Sequence, residues 1–196
     1  MLGSVLFHVG VLIIFGGHFV GLLTPIEVFD AIGVSHGAKQ VLAIIAGGIA
    51  GAMAIVGALI LLHRRVFDPR IRATSSFGDT AILALLTAQL VLGLSTIPLS
   101  SQHLDGSEMV KFMAWAQGIF TFQPGAAAHI SEVHWIFKAH LALGLTIFLV
   151  FPFTRLVHML SAPIWYLNRR GWQLVRTRRG MADQKSRARP SRGGRL

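Results

Sequence analysis

Four mostly apolar stretches of this chain, three of about 20 residues and a longer fourth, reach the length of a helix that crosses a bilayer. They lie at about Leu2–Leu23, Val41–Leu62, Thr80–Leu99 and Glu132–Leu160, and the first contains no Asp, Glu, Lys or Arg at all. Trp135 and Trp165 bracket the fourth, as interfacial tryptophans do. The fold class expected is an all-α integral membrane protein, a four-helix transmembrane bundle over residues 1–179. The polar, Arg-rich stretch 180–196 reads as a disordered tail. Bulk composition agrees: 13% of residues are charged, against about 25% in a soluble domain.

The net charge of +10 would suit a nucleic-acid binder, but its placement does not. Ten of the eighteen Lys and Arg fall between Arg169 and Arg195, and four more between Arg64 and Arg72. Both basic segments lie on one side of an even-numbered bundle, which the positive-inside rule makes cytoplasmic. The expected topology is N-in and C-in, in the cell inner (cytoplasmic) membrane, with lipid as partner and no nucleic acid. The connections Thr24–Gln40 and Ser100–Ser131 then face outward. Within the second, Ser107–Phe120 reads either as an interfacial helix or as an ordered loop. In the second span, Gly47 and Gly51 form a small-xxx-small pair suited to close helix packing.

There is no cysteine. Thiolate-bound clusters and covalently attached haem are therefore excluded, and a redox cofactor must be held by other ligands. Four of the nine histidines lie within apolar spans: His8 and His18 on the first, His140 and His158 on the fourth. Ionisable groups there are rare and usually functional. The other five read as surface histidines.

At 1.5 Å per residue, His8 and His18 are about 15 Å apart along the axis, and His140 and His158 about 27 Å. The two helices run antiparallel, so His8 shares a depth with His158, and His18 with His140. Eighteen residues of helix return to one face, although Pro152 intervenes. Facing histidines across a bundle make an axial haem site, and four make two stacked haems. Gly16, Gly17 and Gly21 around His18, Gly10 after His8 and Gly144 after His140 leave room for a flat macrocycle. Isolated core histidines and a proton relay are the competing readings. Arg155, three residues before His158, is a candidate contact for a propionate of the inner haem, or a plain cytoplasmic anchor.

The stretches LFHVGVLIIFGGHFVGLLTP (Leu6–Pro25), LLHRRVFDPRIRAT (Leu61–Thr74), LGLSTIPLSSQHLDGSEMVKFMAWAQ (Leu92–Gln117) and FKAHLALGLTIFLVFPFTRLVHMLSAP (Phe137–Pro163) resemble the gamma, or cytochrome b, subunit of respiratory nitrate reductase. The resemblance covers nearly the whole chain before the tail. It implies two b haems, the inner on His8 and His158 and the outer on His18 and His140. It implies a quinol site, for menaquinol or ubiquinol, at Lys39, Gly17 and His18. It implies an iron–sulfur beta subunit and a molybdenum-containing catalytic alpha subunit on the cytoplasmic side. Such a chain performs quinol oxidation and electron transfer within a quinol:nitrate oxidoreductase of anaerobic respiration. Family members have five spans, and this chain begins where the second would, so the resemblance implies that the first helix is lacking. The alternatives are a di-haem b subunit of another quinone-linked reductase, of sulfur or heterodisulfide type, and a non-redox membrane anchor.

Overall fold

A computed structural model describes residues 1–159, which are helical with no strand among them. The chain divides into two compact units, Met1–Val157 and His158–Leu196. Of the second, only His158 and Met159 are described, and the expected tail at 180–196 lies outside the described residues. The elements are α1 (Leu2–Leu23), α2 (Ile26–Ala31), α3 (His36–Phe67), α4 (Pro69–Thr74), α5 (Phe77–Ser100), α6 (Ser107–Phe120) and α7 (Trp135–Val150). Short 3-10 turns follow at Ala126–Ile130, Phe151–Phe153 and Arg155–Met159. The segments α1, α3, α5 and Trp135–Phe153 are long and apolar enough to cross a membrane.

Local chemistry sets the helix ends. Ser35 Oγ accepts from the Ala38 N–H at 3.2 Å and starts α3 five residues before the apolar run. Asp68 accepts from the Arg70 N–H at 3.0 Å, and Pro69 supplies a fixed φ at the first position of α4. A capping box opens α5: the Asp79 N–H donates to Ser76 Oγ at 3.2 Å and the Ser76 N–H donates to Asp79 Oδ2 at 3.0 Å. Of the two readings of Ser107–Phe120, the helix is found, as α6.

The fourth span departs from expectation. A helix over 132–160 was expected, but α7 begins at Trp135 and ends at Val150, and two 3-10 turns follow. Pro152 has no N–H to donate, and its ring crowds the carbonyl four residues back. The rise and rotation arithmetic from His140 to His158, which assumes continuous α-helix, is therefore corrected: it does not apply past Val150.

The helices pack in chain order, α1 on α3, α3 on α5 and α5 on α7. The α1–α3 contact is built from small residues. A Cβ on Gly10 would lie 2.6 Å from the Ala50 carbonyl oxygen, and one on Gly3 would lie 2.7 Å from Ile60 Cγ2. Ala54 and Ala58 have no exposed surface. Gly51 receives Leu94 of α5, whereas Gly47 faces open space. The close-packing pair read from sequence is thus corrected to Gly51 with Ala54 and Gly57. Gly10 is likewise corrected, since it is filled by α3 and leaves no room for a macrocycle. The large side chains point outward, Leu12 at 63%, Phe19 at 60% and Leu149 at 72% exposure. In water this surface would aggregate; in lipid it is solvated, and close van der Waals packing of small residues holds the helices. The chain is a multi-pass membrane protein.

Arg64–Arg72 marks one end of the bundle, here called the basic end. Asp79 is buried there, and its Oδ1 lies 2.9 Å from Arg155 Nε. Arg65 donates to the Asp79 backbone carbonyl at 2.8 Å. One residue thus ties the end of α3, the start of α5 and the turn after α7. Replacing Asp79 by Ala removes the capping box and an ion pair whose arginine is largely exposed, about 1–2 kcal/mol together. The apparent Tm of the detergent-purified protein is expected to fall by roughly 2–8 °C; an unchanged Tm would show that the cluster is incidental.

Candidate functional site: facing histidines on α1 and α7

His8 and His18 both sit on α1 and are exposed, away from the buried Gly3 and Gly10 that meet α3. Each orients its ring through its own helix. His8 Nδ1 lies 2.7 Å from the Ser4 carbonyl oxygen, and His18 Nδ1 lies 2.8 Å from that of Ile14. A carbonyl only accepts, so Nδ1 of each neutral ring carries the hydrogen. For His18 that leaves Nε2 with a lone pair, the arrangement that fixes a metal-binding histidine.

The structure brings His18 and His140 together. Their ring centroids are 6.2 Å apart, with the planes tilted by 48°. Imidazole nitrogens bind first-row metals at about 2 Å, so two rings bonded end-on to one ion have centroids about 6 Å apart. Beside His18, ideal Cβ positions on Gly16, Gly17 and Gly21 would meet nothing within 4 Å. The space beside these glycines is therefore open, as a slot for a planar group requires. α1 and α7 share little backbone contact, so the rings approach across a gap. Gly144 differs from expectation, because a Cβ there would meet Gln89 Nε2 at 3.1 Å; it receives a side chain of α5. By donor type, spacing and open volume, the residues around His18 and His140 fit a haem. His158 lies in the second unit.

Lys39 proves to be buried, at 6% exposure. Its ammonium donates to the Gly21 carbonyl at 3.0 Å and to Met113 Sδ at 2.8 Å, and it stands 3.8 Å from the centre of the Phe29 ring. None of the ion pairs among the described residues includes it. An ammonium desolvated with no anion is costly, which marks a position kept for more than packing. Its partner Gly21 is three residues past His18, so Lys39 and His18 share one end of the bundle. α6 forms the cover, with Met113 at 2% exposure. Gly106, at φ +82°, admits the close approach of the loop before α6 to His36. Gln117 of α6 donates to the carbonyls of Leu22 and Thr24 at 3.1 and 3.2 Å, satisfying the end of α1.

Arg155, considered from sequence for a propionate, is engaged by Asp79. A separate cleft of about 340 Å³ includes His103, Glu108, Glu132 and His134; none of the residues singled out as a site lines it. Sequence reasoning missed Met113, Phe29, Gln89, Gly93 and Asp79. For Gln89 a signal existed, since an amide inside an apolar span must find a partner.

A multi-pass helical membrane protein that turns two histidines toward each other across an open slot defines the class: an intramembrane bis-histidine bundle. Residues 1–178 match the family described as nitrate reductase gamma subunit, and the chain belongs to that family. It is 51% identical over 177 residues to the respiratory nitrate reductase 1 gamma chain of Escherichia coli (strain K12), covering 90% of this chain and 78% of that one. It is 50% identical over 176 residues to the respiratory nitrate reductase 2 gamma chain of the same organism, covering 90% and 77%. Identity to the nitrate reductase gamma chain of Bacillus subtilis (strain 168) is 40% over 167 residues, covering 85% and 74%. The chain is therefore the membrane subunit of an oxidoreductase complex.

Proposed function

We propose that this chain is the quinol-oxidising, di-haem cytochrome b subunit of a respiratory nitrate reductase, set N-in and C-in in the cytoplasmic membrane. The observation that carries the reading is the 6.2 Å separation of the His18 and His140 rings. His18 and His140 would hold an outer haem through neutral imidazoles. From family resemblance, His8 and His158 would hold an inner one; Arg155, considered for its propionate, is paired with Asp79 instead. When bound, the two haems supply one-electron carriage at two depths of the membrane.

The chain's own groups do the rest. Lys39 is held on the Gly21 carbonyl, about one turn past Gly17 and His18, and its remaining N–H would orient an oxygen of menaquinol or ubiquinol. Oxidation there releases protons on the outer side. α6 excludes water from the ammonium through Met113. His18 Nδ1–H, fixed on the Ile14 carbonyl, keeps the ring from rotating. Electrons leave at the basic end to an iron–sulfur beta subunit, which serves the molybdenum-containing alpha subunit on the cytoplasmic side.

A reduced-minus-oxidised spectrum with haem quantified per chain tests the reading. Two low-spin b haems are expected, and well-folded protein without haem would overturn it. Replacing Lys39 by Leu deletes a charged hydrogen bond worth about 1.5–3 kcal/mol. Quinol-dependent nitrate reduction is expected to fall roughly ten- to a hundredfold with haem content unchanged. Unaltered turnover would remove Lys39 from the site.

A further inference from the structure

α5 carries none of the four histidines, yet it forms the seat of one. A Cβ on Gly93 would fall 3.0 Å from His140 Cε1, 3.6 Å from Nδ1 and 3.7 Å from Nε2, so the imidazole occupies the space that Gly93 leaves. One turn earlier, Gln89 Nε2 donates to the His140 backbone carbonyl at 3.0 Å and stands 3.5 Å from the ring Nε2. Gly144, one turn past His140, accommodates the Gln89 amide.

Two polar atoms in this contact are buried without a partner, Gln89 Oε1 and His140 Nδ1. They are complementary, because an amide oxygen only accepts and a ring nitrogen can carry hydrogen. His8 and His18 place their Nδ1–H groups on carbonyls of α1. His140 makes no such bond to its own helix. A histidine that binds a metal through one nitrogen needs the other fixed by an acceptor.

We propose that Gln89 is the positioning residue of His140. Its amide N–H anchors the α7 backbone, and a small shift of the side chain or ring brings its amide oxygen, without a partner in this structure, onto a ring N–H while the other ring nitrogen binds iron. Gly93 is its necessary companion, leaving room for the imidazole. The inference rests on the haem reading of His18 and His140. It assigns to α5 the orienting role that α1 performs for its own histidines.

The test uses the assembled complex, with haem per chain, low-spin EPR signals and midpoint potentials as readouts. Replacing Gln89 by Glu gives up the N–H to the His140 carbonyl but supplies a stronger acceptor, which makes the ring more basic and favours ferric iron. Both haems are expected to remain. The reduction equilibrium of one falls at least about tenfold, which is 59 mV for one electron, and the other does not move. Gln89→Leu removes the acceptor, and the same haem is lost or its EPR signal displaced. Gly93→Ala forces the ring aside and alters that signal too. His18→Ala, measured in parallel, identifies the haem concerned. If His18→Ala keeps both haems, the haem reading fails and the inference with it. If it loses one while all three α5 variants leave that haem's potential and signal as in the wild type, only the positioning role is overturned.

Discussion

Replacing His18 by Ala is expected to leave one haem per chain and to abolish quinol-dependent nitrate reduction, and His140→Ala is expected to do the same. The two rings stand at the separation that a shared ion sets. Neither has a substitute, because a second imidazole is not within reach on the same turn of either helix. Outer-shell partners of a metal typically cost about 10–100-fold when removed; loss of an axial ligand should exceed this. Gly17→Leu supplies an independent check. A Cβ at Gly17 meets no protein atom within 4 Å, so the fold leaves room for a side chain to start there. If a macrocycle fills that slot, Gly17→Leu loses the same haem as His18→Ala while the protein stays folded. If the slot faces only lipid, the variant keeps two haems, and the assignment of the slot is wrong.

The second large effect is on assembly. Gly10→Val and Gly57→Leu are each expected to remove the subunit from the membrane fraction. At Gly10 the first added carbon would lie 2.6 Å from the Ala50 oxygen and 2.7 Å from the Ala54 nitrogen. Both are backbone atoms, so no rotamer change relieves the clash. At Gly57 it would strike the backbone of Phe7 and Gly3. Overpacking typically costs about 1–3 kcal/mol where side chains can yield, and here they cannot. Gly3 and Gly10 are the buried residues of α1, and the other bonds to it, from Lys39 and Gln117, hold only its far end. Gly47→Leu is the control, because Gly47 faces open space and its abundance should stay at the wild-type level. Normal membrane abundance of Gly10→Val would show that α1 docks by another face.

Much of this architecture is legible in the sequence because the bilayer imposes it. Apolar length places α1, α3 and α5 within a few residues. It does not place the end of α7, where Pro152 outweighs hydropathy. The meeting of His18 with His140 follows from depth alone, since antiparallel helices of similar length bring matched positions together. What lies around those histidines is less legible. Gly10 and Gly16 look equivalent as letters, yet one is filled by α3 and the other is open, because facing is set by tertiary contact. Lys39 is marked in the sequence only by the family resemblance, and its burial shows only once α6 folds over it. Asp79 lies just outside the apolar run that hydropathy marks, and only the fold shows it closing on Arg155 and Arg65.

The order of packing bears on how the subunit is made. Each span rests on the one translated before it, so the contacts form as a series of local hairpins, a low-contact-order path that avoids waiting on distant segments. Like the bonds from α6 to the end of α1, the approach of α1 to α7 joins segments far apart in the chain, and it is made by imidazole rings across a gap. The seams between neighbouring spans can therefore close with this one ajar. A prosthetic group loaded after insertion would enter a chain already built around its place, and would act as the final fastener of the bundle.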